Sequence, residues 1–199
     1  MGSQGREALT LETFLALCEA APAGVRYEAV GGRAVMMAAP SHAHQVALFR
    51  LAMVLQASLP DGLVMVGAPV DWVLWQVPTL TVRQPDLVVF THDQYGRQPL
   101  TSPPVLVLEV LSPTTRAVDL VDKRSEYARA GAEHYWVLDV GVPSIEALAL
   151  DPATRTYVTA AQAKGDEVLD VGAPFRVTVV PGDLLAREDG AWAPRATRH

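Results

Sequence analysis

Cysteine is nearly absent from this chain. Across 199 residues there is one, Cys18, which excludes an intramolecular disulfide framework and a cysteine-based zinc site. It sits in the apolar run 14–21, where a packed thiol is expected rather than a nucleophile. Long apolar runs are missing too: none approaches the ~20 residues a membrane helix needs. Residues 1–10 lack the basic start of a signal peptide, and Glu7, Glu12 and Glu19 break the apolar run it would require. There is no internal repeat and no low-complexity linker. Positive charge is in deficit, with 16 Lys+Arg against 22 Asp+Glu and a net charge of −6. That is opposite to the footprint of a protein living by non-specific attraction to nucleic acid, so any such contact needs a local basic patch. Lysine is scarcest of all: Lys123 and Lys164 stand beside fourteen arginines.

What is present suits a globular protein. Half of the residues are hydrophobic, enough for a real core, and the length suits one domain over 8–190 followed by a disordered tail at 191–199. The expected setting is soluble and cytoplasmic. Thr10 caps a predicted helix over 11–20, ended at Pro22–Gly24. A hairpin comes next at 26–30 and 33–38, turning on Gly31 and Gly32. A second helix opens at Pro40 and Ser41 and runs to about residue 58, with a core stripe of Leu48, Leu51, Val54 and Leu55. Strands are predicted at 63–66, 70–77, 86–90, 105–111 and 134–140. A turn at 112–115 leads into a helix over 117–130 that stops at Gly131. Residues 144–180 read as an antiparallel β extension.

The run 105–111 is apolar throughout except for Glu109, which predicts a central strand covered on both faces. A lone buried carboxylate costs several kcal/mol, so Glu109 needs a metal, a cation or a shared proton beside it. A structural salt bridge at the end of the sheet would answer equally well. Asp86, after Pro85, opens another apolar strand and reads alone as a turn residue. If the two strands pair, Asp86 and Glu109 converge, and two such carboxylates suffice as protein ligands for Mg²⁺, which keeps several waters. Lys123 is placed by distance. Seven residues of a helix returning over the strand climb roughly 10 Å, about three strand residues, which brings Lys123 level with Glu109. Asp119, Lys123 and Tyr127 share one helix face. An exposed Asp119–Lys123 pair is the plain alternative, but an acidic strand pair and the scarcity of lysine favour a site. Glu28 reads as a hairpin surface charge and His44 as a hydrogen-bonded core histidine. Ser112 lacks a Gly-x-Ser-x-Gly elbow, and Asp139 is assigned a structural role.

Several blocks then fall in a familiar order. Tyr27 and Glu28 precede Gly31 and Gly32; Pro40 and Ser41 precede His44; Pro85, Asp86, Leu87, Val88 and Val89 come after them. Next are Leu108, Glu109, Val110, Leu111, Ser112 and Pro113, then Asp119, Lys123 and Tyr127. Gly131, Tyr135, Trp136 and Asp139 complete the series. Together, over about 26–140, they resemble the Uma-two family of restriction-endonuclease-like proteins.

The resemblance implies a PD-(D/E)XK nuclease-like α/β fold, a mixed sheet flanked by helices. In that superfamily an Asp, then an acidic residue, any residue and a Lys on the next strand form the metal site. Here Asp86 and Glu109 match, but Leu111 holds the usual lysine position. The Uma-two pattern resembles a variant with its lysine on the following helix, which Lys123 fits. By this resemblance, Asp86 and Glu109 would hold Mg²⁺ or Mn²⁺, and Lys123 would orient water or stabilise phosphate charge. Glu28 and His44 would be further site residues, with Asp119 and Tyr127 positioning Lys123. The expected partner is nucleic acid, DNA first, with no membrane and with homodimerisation left open. Arg83, Arg97, Arg116 and Arg124, near the site in sequence, would guide the substrate. The competing readings are an inactive nuclease-fold module that binds nucleic acid or a protein, and an unrelated scaffold with a structural buried acid.

Overall fold

The structure, a computed structural model, describes residues 8–112, 116 and 118–185; the side chain of Asp119 is also outside the described set. The tail expected at 191–199 and most of the turn expected at 112–115 therefore lie outside the described residues. Within them, no helix is long and apolar enough to cross a membrane.

Thr10 does cap the first helix, α1 (Leu11–Glu19). Its hydroxyl accepts the Thr13 N–H while the Thr13 hydroxyl accepts the Thr10 N–H, which satisfies two otherwise orphaned donors. The one fully buried side chain of α1, Phe14, packs on Ala29, Val73, Leu80 and Val82. Burial of a ring of this size contributes about 1.5–3 kcal/mol. Those partners belong to a small antiparallel sheet. Strands β1 (Tyr27–Val30) and β2 (Arg33–Met36) form the expected hairpin, with positive φ at both Gly31 and Gly32. The sheet order is β2-β1-β5-β4, in which β4 is Trp72–Trp75 and β5 is Thr81–Arg83. Strand β5 has only three residues, too few for an alternating pattern, and the sequence does not predict it.

Helix α2 (His42–Ser58) is capped by the Ser41 hydroxyl on the His44 N–H. It packs on the main sheet, whose order is β10-β9-β8-β7-β6-β3. These strands are β3 (Leu63–Gly67), β6 (Leu87–Thr91), β7 (Leu106–Leu111), β8 (His134–Asp139), β9 (Ser144–Asp151) and β10 (Thr156–Lys164). All pair antiparallel except β7 with β8. All six residues of β7 are buried, as a central strand requires. Leu106, Leu108 and Val110 meet Ala47, Leu51 and Leu55 of α2, while Val107 and Leu111 meet Tyr127 and Ala128 on the opposite face. A parallel pair needs a crossover, and helical residues 118–130 supply it.

That crossover differs from the expected uniform helix. Val118–Lys123 forms a wide π-type turn, and α3 proper is Arg124–Ala130, ended by Gly131 in the left-handed region at φ 94°. Wide turns of this kind are frequent at functional sites, and they rotate the next helical residues away from where an unbroken α-helix would put them. The C-terminal extension also differs. Strands β9 and β10 enlarge the main sheet, and only β11 (Leu169–Val171) with β12 (Val177–Val179) forms a separate ribbon.

Candidate active site

The register of β6 on β7 pairs Leu87 with Leu108, and one further step along it sets Asp86 opposite Glu109. Their side chains find different partners. Asp86 Oδ2 accepts the Val110 N–H at 2.8 Å and lies 3.0 Å from Nε2 of His44. Both of these bonds fall on Oδ2. Glu109 Oε1 instead accepts the Lys123 ammonium at 2.9 Å and the Tyr127 hydroxyl at 2.6 Å. Lys123 and Tyr127 are one helical turn apart, so their side chains meet over the same strand residue. The Tyr127 ring is held between Trp72 and Tyr135, at centroid distances of 5.2 Å and 5.4 Å.

Glu28 completes the group from the small sheet. Its Oε1 lies 3.9 Å from the Lys123 Nζ and accepts the Gln84 N–H at 2.9 Å, while Oε2 accepts Arg83 at 2.8 Å. Arg83 also grips both carboxylate oxygens of Glu126, at 2.7 Å and 3.0 Å. Burial alone would lower the Arg83 pKa, but Glu126 and Glu28 outweigh it and raise it, so the guanidinium is charged. The Tyr127 phenol is pushed well above its ordinary value, first by burial and then by the charges of Glu109 and Glu28. It therefore acts as a neutral donor.

This last shift has a testable sign. Below about pH 10 the phenol is protonated in both folded and unfolded chains. Above that, the unfolded chain releases the proton and the folded one retains it, so the stability contribution is lost as pH rises further. Tyr127→Phe is expected to be less stable than wild type at pH 8, with the gap narrowing by pH 10.5. Urea unfolding midpoints at the two pH values check it.

The five residues expected at the centre of the site fall into two groups, Asp86 with His44 and Glu109 with Lys123 and Glu28. Two expectations need correction and one rejected alternative falls. Lys123 is 3 % exposed and bonded to Glu109, so the surface-pair reading of Lys123 fails; the Asp119 side chain lies outside the described residues. Glu28 is buried rather than a surface hairpin charge. Arg83 is buried between two glutamates and is no guide for an incoming substrate. Arg116 in turn pairs with Asp139, whose other oxygen caps a turn by accepting the Gly141 and Val142 N–H groups, as its structural role requires. The anchoring of Glu28 by Arg83, and of Arg83 by Glu126, is not legible in the sequence. The one available signal is a charged residue set between Val82 and the Pro85-Asp86 pair.

The donor set fits a hard divalent cation. Glu28, Glu109 and Glu126 face two cations, Lys123 and Arg83, and Asp86 adds a fourth carboxylate facing an imidazole. The described side chains thus carry an excess of negative charge. In the same cluster Gln84 Oε1 is buried without a hydrogen-bond partner among the described residues. No group of three or more His, Cys, Asp and Glu that could hold a metal ion occurs among the described residues, so a cation here would need water for most of its coordination. Mg²⁺ accepts such an arrangement with one or two carboxylates.

Known proteins share this architecture. Among solved structures the chain is similar to one described as a "putative nuclease belonging to DUF820" from Anabaena variabilis. The TM-score is 0.65 at 14 % identity, covering 88 % of this chain and 97 % of that one, and at that identity the shared property is the fold. No curated protein matches the chain. The Uma2 family model, described as "Putative restriction endonuclease", matches residues 11–181. That span holds every site residue and every strand, and the chain belongs to the Uma2 family.

Proposed function

We propose that the protein is a divalent-metal-dependent nuclease that hydrolyses phosphodiester bonds, with DNA as the first substrate to test. The observation carrying this reading is the buried Glu109 gripped by a lysine from the crossover helix, with Asp86 opposite it across β6 and β7. Asp86 and Glu109 would hold Mg²⁺ or Mn²⁺, which when bound supplies Lewis acidity at a phosphoryl oxygen and a more acidic water. Lys123 then presents its ammonium to the attacking water or to phosphate charge. Tyr127 fixes the Glu109 oxygen, His44 steers Asp86, and Arg83 holds Glu28 against Lys123. Asp119 is kept as a further positioning residue.

A plasmid and oligonucleotide cleavage panel with Mg²⁺ and Mn²⁺, against Glu109→Gln, tests the reading. Cleavage by wild type alone supports it, and no cleavage of any substrate overturns it. Metal binding has its own readout. At a concentration one hundred times the Kd, stabilisation is about 2.7 kcal/mol, or about 5–10 °C in Tm for a chain of this size. Glu109→Gln is expected to abolish the shift. An equal shift in that variant would show that Glu109 is no ligand.

One observation favours a second reading. Glu109 and Lys123 are 2 % and 3 % exposed, as a closed structural pair in an inactive nucleic-acid-binding module would be. Binding of oligonucleotides without turnover in either metal would select it.

A further inference from the structure

Asp86 is the site carboxylate that lines a surface pocket. Its side chain is 17 % exposed, and the pocket beside it, of about 510 Å³, lies between the first half of α2 and the end of β3. Leu48, Phe49, Met65 and Pro69 give it apolar walls; Arg26 and Gln45 are its polar members besides Asp86. Apolar walls with a few placed polar groups suit a flat heterocycle, not a phosphate chain. Phe49 is 66 % exposed, an uncommon place for a large ring on a helix. It also borders a shallow, open depression on the outer face of α2 with Val46 and Met53. An exposed ring at the edge of a pocket offers a face on which a base of a single strand can stack.

The charges point the same way. Holding a duplex by its backbone takes many phosphate contacts from Lys and Arg. This chain has a net charge of −6, and three of its arginines are already committed: Arg83 to Glu28 and Glu126, Arg116 to Asp139, and Arg176 to Asp170. A single strand carries half the charge per unit length of a duplex, and stacking adds about 1–3 kcal/mol per base beside its phosphate contacts.

We infer that the pocket beside Asp86 takes an unstacked nucleobase of the substrate strand, so that the protein acts on single-stranded or locally unpaired nucleic acid in preference to intact duplex. The inference rests on the nuclease reading above and deepens it by naming the substrate class. Arg26 serves the phosphate next to the seated base, and Asp86 belongs to both the pocket and the site, so the scissile phosphate is set by where the base is seated.

The test uses the full chain and one labelled 20-nucleotide sequence in three forms: single strand, intact duplex, and duplex with a central unpaired bulge. Binding is read by fluorescence anisotropy without metal, and cleavage separately with Mg²⁺ and Mn²⁺. Wild type is expected to bind the single strand and the bulged duplex at least tenfold more tightly than the intact duplex. Phe49→Ala, at an exposed position, should leave the circular dichroism spectrum unchanged and weaken single-strand binding about tenfold. Phe49→Trp should retain it, and duplex binding should not respond to either change. Equal binding of all three forms, or a Phe49→Ala variant that binds single strand like wild type, overturns the inference. The two readings fail separately. Cleavage of intact duplex with no Phe49 dependence removes the pocket inference and leaves the nuclease. Phe49-dependent single-strand binding without cleavage in either metal keeps the pocket and removes the turnover.

Discussion

Lys123→Arg is expected to keep the fold and lose cleavage on the order of a hundredfold, whereas Lys123→Ala loses both cleavage and stability. The ammonium lies in a buried group between Glu109 at 2.9 Å and Glu28 at 3.9 Å. Arginine preserves the positive charge and propagates a helix about as well as lysine. Its planar fork is wider, and it cannot put one compact donor where Nζ now sits. A displacement near 1 Å at a reacting centre costs on the order of a hundredfold in rate. Alanine removes the charge altogether, and of the ammonium and the Tyr127 hydroxyl only the hydroxyl still donates to the buried Glu109. Breaking one side of a buried ion pair costs about 3–5 kcal/mol. The double variant Lys123→Met with Glu109→Gln removes both charges and is expected to recover most of that stability, with no recovery of cleavage. Urea unfolding and plasmid cleavage on the four proteins separate the effects. A Lys123→Arg enzyme as fast as wild type would leave Lys123 a purely structural ion-pair partner.

Arg83→Met is expected to destabilise the protein as strongly as Lys123→Ala, by about 3–5 kcal/mol. One guanidinium serves two carboxylates on separate elements, Glu28 of β1 and Glu126 of α3. Without it Glu126 loses its guanidinium partner, and Glu28, whose side chain is almost wholly buried, is left with the Lys123 ammonium at 3.9 Å. The effect also reaches the chemistry, because Glu28 is one of the groups that set the Lys123 ammonium. Adding Glu28→Gln to Arg83→Met should restore part of the stability, since an amide needs no counter-charge. Chemical denaturation measures both steps. If Arg83→Met unfolds at the wild-type midpoint, the clamp contributes nothing.

The legible parts of this protein are those written in short stretches of chain. Strand β7 announces itself through six residues whose only charge is Glu109, and Gly131 marks the helix end. The level of Lys123 can be had from rise per residue, because only 14 positions separate it from Glu109. The parts that are not legible join distant segments. Arg83 meets Glu28 across 55 positions and His44 meets Asp86 across 42, and nothing local to either residue names its partner. Strand β5 escapes because three residues carry no period. The wide turn 118–123 escapes because its sequence suits an α-helix equally well. The assignment of β9 and β10 to the main sheet depends on which edge they meet, which hairpin patterns do not encode.

The placement of the lysine also divides the site by stiffness. Glu109 is a ladder position of β7, paired with Val137 of β8, and Asp86 lies immediately before the first residue of β6. A lysine at Leu111 would share that rigidity and could shift only by breaking the sheet. Lys123 instead ends a wide helical turn, where one loop of backbone can tighten or relax while every strand stays paired. The position of the Glu109 carboxylate is thus set by the sheet, and that of the cation it meets by a helical turn outside the sheet.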